Sequence, residues 1–132
     1  MKLEEFRIKH SLLIENYQFI EHHLEGIYAA ISGKNFISAL DDVELSNVGK
    51  LVFEIRKIEN QSNISVIPIE VYNRIDESRL RRNYWCHNCY VDMTFKLNGD
   101  PKKEKDISAL NRDLREAEEL REILFEIKCS IK

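Results

Sequence analysis

Ile64-Ser65-Val66-Ile67-Pro68-Ile69-Glu70-Val71-Tyr72 is the stretch on which the fold class turns. Its β-branched residues suit a strand, and Val91-Asp92-Met93-Thr94-Phe95-Lys96-Leu97 alternates with period two, so the pair could close a hairpin. Against this, two strands alone are marginal in water. Pro68 also suits the first turn of a helix, where its missing N–H leaves no hydrogen bond unmade. The helical reading runs from Pro68 to about Tyr90, with a break near Asp76-Glu77-Ser78. Residues 64–72 and 91–97 stay open between strand and helix.

The flanks favour helix. Upstream, Leu3, Phe6, His10, Leu13, Tyr17, Ile20, Leu24, Ile27 and Ile31 recur in steps of three and four. That spacing predicts one amphipathic helix over Leu3–Ser32, with Gly33 at its C-terminal cap. The stripe serves as the inner face of a bundle, and a dimer seam is the other use. Phe36 to Leu40 fits a short helical turn. Asp41 and Asp42 fit the N-cap of a second helix with Glu44 in its first turn, and Leu45, Val48, Leu51, Val52, Ile55 and Ile58 form its apolar face. Asp41 and Asp42 are read as caps rather than as a metal pair. Downstream, Leu97-Asn98-Gly99-Asp100-Pro101 is a stop. A last helix is expected from about Asp106 to Ile131, with Leu110, Leu114, Ala117, Leu120, Leu124, Ile127 and Ile131 inward. Glu116, Glu118, Glu119, Glu122 and Glu126 form its wet side.

Four glycines and two prolines in 132 residues leave little turn chemistry for a many-stranded sheet. The expectation is therefore one all-α domain over residues 1–132, an up-and-down bundle of four to five helices. A net charge of −3 argues against broad, non-specific nucleic-acid binding, but leaves room for a small site that takes one phosphate at a time. The chain opens on charges rather than an apolar leader and has no run of membrane-spanning length. With three cysteines, an odd number, the expectation is a cytoplasmic protein with reduced thiols.

The chemistry concentrates in Arg81-Arg82-Asn83-Tyr84-Trp85-Cys86-His87. Arg82 is a permanent cation that can fork onto a phosphate, and His87 is of the residue type most often used to pass protons in catalysis. Asn83 and His87 are four apart and share a helix face, whereas Arg82 lies about 140° from His87 around the axis. Bringing the two together needs a bend, which a break at 76–78 would supply, or two copies meeting across a dimer. The set has what metal-free RNA cleavage requires: a proton shuttle in His87, a cation for the non-bridging oxygens in Arg82 and an orienting amide in Asn83. It also requires Arg82 to be free of acidic side chains and His87 to be open to solvent. With four histidines in the chain, R-N-x-x-x-H arises in roughly one shuffled sequence in fifty, the ordinary risk of a short motif.

Arg82-Asn83-x-x-x-His87 resembles the R-N-x-x-x-H signature of HEPN-domain proteins. These are small all-α domains of four or five helices that commonly dimerise. Many are metal-independent ribonucleases of toxin–antitoxin, abortive-infection and CRISPR-associated systems. The resemblance implies Arg82 and His87 as catalytic, Asn83 as auxiliary, a homodimer, single-stranded RNA as substrate, an antitoxin protein as a possible partner, and no cofactor, metal or membrane.

Around this core, Arg74, Arg79, Arg81 and Arg82 form the densest basic cluster, read either as a phosphate-facing patch or as ion-pair partners of the acidic last helix. Tyr84, Trp85 and Tyr90 could stack on bases, against the alternative of core packing for the single Trp. Arg74, Arg79, Arg81 and Tyr84 complete the candidate RNA-binding set. Cys86-x-x-Cys89 could begin a zinc site with His22, His23 or Cys129, but it lacks a second paired motif, and the cysteines are read as reduced packing residues. His10 is expected as a hydrogen-bonded core histidine, and His22 and His23 as surface residues. The rival to the nuclease is a non-catalytic helical module that docks a protein partner.

Overall fold

The structure, a computed structural model, describes residues 2–87, 89–92 and 104–131. All regular structure among them is helical: α1 (Leu3–Ile31), α2 (Phe36–Val43), α3 (Val48–Ser62), α4 (Ile69–His87), the single turn α5 (Cys89–Asp92) and α6 (Glu104–Ser130).

The stretch at 64–72 becomes neither strand nor helix for its first half. Asn63 ends α3 in the left-handed region (φ 53°), and the Ile64 N–H closes the turn onto the Glu59 carbonyl at 3.0 Å. The chain then runs past the buried Glu59 carboxylate. Val66 and Ile67 donate their N–H groups to its Oε2 at 2.7 and 3.1 Å, and the Tyr72 hydroxyl donates to Oε1. One side chain thus supplies the acceptors that a strand partner would have supplied, and no hairpin is needed. Pro68 stands just before α4 and its carbonyl accepts from Val71 and Tyr72. Val91 and Asp92 are in α5, and residues 93–97 lie outside the described residues.

Three expectations need correction. Asp41 and Asp42 cap nothing: they lie in the last turn of α2, where Asp42 pairs with Lys34 at 2.7 Å. The N-caps are Asn35, whose Oδ1 accepts from the Ile37 and Ser38 N–H groups, and Asn47, whose Oδ1 accepts from the Lys50 N–H at 2.8 Å. An amide does this as well as a carboxylate, so charge gave no guide. Leu45, expected on the apolar face of the second helix, sits in the loop before α3 and is exposed. Finally, α4 runs unbroken through Asp76, Glu77 and Ser78, with Ser78 buried, so no bend lies there.

The α1 stripe is the spine of the core. Phe6, Leu13, Tyr17, Ile20, Leu24 and Ile27 are buried, and α1 ends with the Ser32 N–H on the Tyr28 carbonyl before Gly33 takes φ 74°. Lys9 meets Asn111, Asn16 meets Arg121 and His23 meets Lys128, so α1 and α6 run parallel. By contrast, Phe6 touches Tyr90 and His10 bonds the Trp85 carbonyl, so α4 runs antiparallel to α1. Arg74 reaches Glu116 and Glu119 while Trp85 reaches Asp113, so α4 is antiparallel to α6 as well. Helix α3 is antiparallel to α4, with Gly49 beside Arg79 and Arg56 over Tyr72. The bundle is all-α, but α1, α3 and α6 share one sense; the alternating order expected holds only from α3 onward.

Trp85 locks α4 to its neighbours. It is buried, its Nε1 donates to Asp113 at 2.8 Å and its carbonyl accepts from His10 Nε2 at 2.7 Å. The buried Asp113 carboxylate also receives Arg112 at 3.1 Å. Both polar ends of the indole residue are therefore satisfied, and the residues on either side of it keep a fixed direction.

Candidate functional site

On α4, Arg79, Arg82, Asn83, Cys86 and His87 recur in steps of three and four, so they form one stripe. With Arg79 at 0°, ideal geometry puts Cys86 and Asn83 near the middle of that stripe, about 20° to one side and 40° to the other. Arg82 and His87 fall on opposite flanks, about 140° apart. The separation that argued for a bend instead makes Arg82 and His87 the two banks of a channel. The N-terminus of α3 forms its far wall. Together Asn47, Val48, Gly49, Arg79, Arg82, Asn83, Cys86 and His87 line a solvent-open crevice of about 430 Å³.

The far wall is the part that sequence reasoning missed. Its signal was Asn47-Val48-Gly49, an N-cap residue followed by a glycine in the first turn. A helix N-terminus presents N–H groups and partial positive charge to an anion. Gly49 keeps that wall low, since a Cβ there would lie 3.3 Å from Arg79 Nη1. His87 is exposed in the last turn of α4. Cys86 is an exposed free thiol in the same crevice, whereas Cys89 is buried with its thiol on the Trp85 carbonyl at 3.4 Å. The two cysteines thus do not converge, and no cluster of three or more potential metal ligands occurs among the described residues.

Arg82 does not stand free of acidic side chains as the nuclease reading required. Its Nη1 donates to Glu21 of α1 at 2.8 Å, and both side chains are partly exposed. A partly exposed pair of this kind contributes up to about 1 kcal/mol. That is smaller than the benefit of a charge-assisted bond to a phosphate, on the order of 1.5–3 kcal/mol. The guanidinium also carries five donors, and those on Nε and Nη2 remain for another acceptor. Glu21 therefore anchors Arg82 to α1, the requirement for an acid-free guanidinium is not met, and a phosphate would have to share or displace this contact.

The four residues assigned to RNA binding do not gather. Arg79 alone lines the crevice, with an Asp76 partner at 2.9 Å one turn back. Arg74 faces α6 and is held by Glu119 at 2.9 Å and Glu116 at 3.2 Å; Arg81 approaches Asp113 at 3.5 Å and Glu77 at 3.7 Å. For these two the ion-pair alternative describes the contacts. Tyr84 stands edge-on to Trp85, ring centres 4.9 Å apart, and with Leu80 borders a different hollow toward α6. His10 is the hydrogen-bonded histidine expected. His23 is not on the surface: it is buried between α1 and α6 beside Phe125, with Nδ1 accepting from Lys128 Nζ at 3.0 Å.

No family model, curated protein or solved structure matches this chain. No helix among the described residues is long and apolar enough to cross a membrane.

Proposed function

We propose that the protein is a metal-independent endoribonuclease of the HEPN-like kind, acting on single-stranded RNA in a toxin–antitoxin or phage-defence setting. One observation carries the reading: Arg82, Asn83 and His87 border the same solvent-open crevice, closed on its far side by a helix N-terminus. A ribose-phosphate link entering that crevice meets the cation of Arg82, the donors of α3 and an imidazole. In the reaction, the RNA 2′-oxygen forms a bond to phosphorus as its proton passes to a base. The bond from phosphorus to the 5′-oxygen breaks, and that oxygen takes a proton from an acid. The products are a 2′,3′-cyclic phosphate and a 5′-hydroxyl. His87 is the base or the acid, Arg82 holds the non-bridging oxygens and Asn83 orients the phosphate. One crevice contributes one imidazole, so a homodimer, bringing a second His87, would supply both roles.

The test is cleavage of a labelled RNA in EDTA, with end-group analysis of the products. Arg82→Ala and His87→Ala should each lower the rate by about a hundredfold or more, with helicity by circular dichroism unchanged. Cleavage that survives both substitutions removes these residues from the reaction.

A second reading, a non-catalytic module that docks a protein partner such as an antitoxin, is favoured by the ion pairs of Arg74, Arg81 and Arg82. Expression in a host separates the two. A nuclease arrests growth and His87→Ala relieves the arrest, whereas a docking module leaves growth indifferent to both forms.

A further inference from the structure

A second hollow of about 350 Å³ continues the crevice along the α3–α4 seam, sharing Val48, Gly49 and Arg79 with it. Arg56, Tyr72, Asn73 and Asp76 complete its polar lining. The chemistry of the two halves differs. The crevice offers cations and two amides, and no carboxylate is among its lining residues, which suits a phosphate. The hollow mixes a fixed cationic plane, an amide and a carboxylate, which suits the edge and face of a base. The plane is Arg56, whose guanidinium lies 4.1 Å above the Tyr72 ring. Tyr72 is itself pinned by its hydrogen bond to Glu59. Delocalised guanidinium planes held in this way accept a stacked base. Asn73 is exposed beside the platform and both donates and accepts, and Asp76 only accepts. Arg79, at the partition, donates to Asp76 Oδ1 at 2.9 Å, which leaves the second carboxylate oxygen of Asp76 for a base edge. From Asn73 to His87 is fourteen residues of helix, about 21 Å, against about 3.4 Å per stacked nucleotide, so the seam is longer than one nucleotide needs.

We propose that this hollow is a base-binding subsite for a nucleotide flanking the cleaved link, selective for bases that carry an amino group over uracil. Arg56 provides the stacking face, and Asn73 and Asp76 read the amino-bearing edge. The proposal rests on the ribonuclease reading for its substrate class, so its test avoids cleavage. The full chain is titrated with 2′-O-methyl hexa-adenylate and hexa-uridylate, which lack the attacking hydroxyl, and binding is read by fluorescence anisotropy.

The expected result is about tenfold tighter binding of the adenylate, the size of discrimination that one amide pair to an adenine edge contributes. Asn73→Ala should erode that preference by weakening adenylate more than uridylate, whereas Arg56→Ala, which removes a stacking face that either base can use, should weaken both oligomers. Asn73 is exposed, so its variant keeps the test valid should Arg56→Ala disturb the fold. Equal affinities for the two oligomers, no binding of either, or a preference untouched by Asn73→Ala overturns the subsite. Cleavage of an unmodified hexanucleotide, measured on the same sample, bears on the nuclease alone. Selective binding without cleavage leaves the subsite standing and removes the catalytic reading.

Discussion

Glu21 holds the guanidinium of Arg82 across the helix interface, and on the proposed ribonuclease reading a phosphate entering the crevice would compete for it. The Glu21 carboxylate is anchored on α1, so it fixes where the guanidinium waits, but its negative charge also opposes an incoming anion. Glu21→Gln keeps a hydrogen-bond acceptor and removes the charge. The expected outcome is tighter binding of an uncleavable oligonucleotide, by a few-fold at low salt and less at high salt as screening grows. Unfolding stability should fall by no more than about 1 kcal/mol. Weaker binding in this variant would mean that Glu21 acts by placing Arg82 rather than by competing for it. Gly49 offers a complementary probe. A methyl group there meets Arg79 Nη1 at 3.3 Å and raises the far wall, so Gly49→Ala should weaken oligonucleotide binding while leaving the thermal midpoint within a few degrees of wild type.

The turn between α3 and α4 depends on one buried carboxylate. Glu59 accepts two backbone N–H groups and a tyrosine hydroxyl. Removing it with Glu59→Leu would leave buried donors at Ile67 and Tyr72 without partners, each costing roughly 1–3 kcal/mol, and a part-buried N–H at Val66 that costs less. The expected loss is on the order of 4 kcal/mol, read as a large drop in the urea midpoint. Glu59→Gln, which keeps one acceptor oxygen, should lose less. This contact also explains why residues 64–72 could not be assigned locally. Their β-branched character was plain, but the group that satisfies their backbone lies on the preceding helix, and only the folded turn brings it there. The long stripe of α1 was legible because its period repeats over 29 residues. The α2–α3 boundary was not, because Asp41, Asp42, Asn35 and Asn47 are all good capping residues, and intrinsic preference does not choose among them. Asn47→Ala should cost about 1 kcal/mol and loosen the crevice wall.

Parallel packing of α1 on α6, the most extensive helix pairing among the described residues, puts a histidine where water is scarce. The motif residues of the site were readable in sequence because they lie within a single helix, 79 to 87. Glu21, Asn47 and Gly49 were not, since they join that site only through packing between helices distant in the chain. His23 was misjudged for a similar reason: its neighbours Glu21, His22 and Glu25 suggest a surface, and the side chains that bury it, Phe125 and Lys128, come from the other end of the sequence. Burial first, then the charges of Lys128, His22 and Arg121, hold His23 down to about 4 from an ordinary 6.5. In the folded protein it is therefore neutral and accepts from Lys128, whereas the unfolded chain takes up its proton below about pH 6.5. Between these values the unfolded state binds more protons than the folded one, so stability falls as pH drops from about 6.5 towards 4. At neutral pH and above, this contribution is fully present. Loss on the order of 2 kcal/mol is expected across the window, superimposed on the titration of carboxylates. His23→Gln keeps a hydrogen-bonding side chain of similar reach and has no proton to gain. Urea unfolding at a series of pH values should then show the wild type losing stability faster than the variant between pH 6.5 and 4, with parallel behaviour above 7. Equal slopes across that window would show that His23 stays uncharged in both states or is charged in both, and that Lys128 does not rely on it.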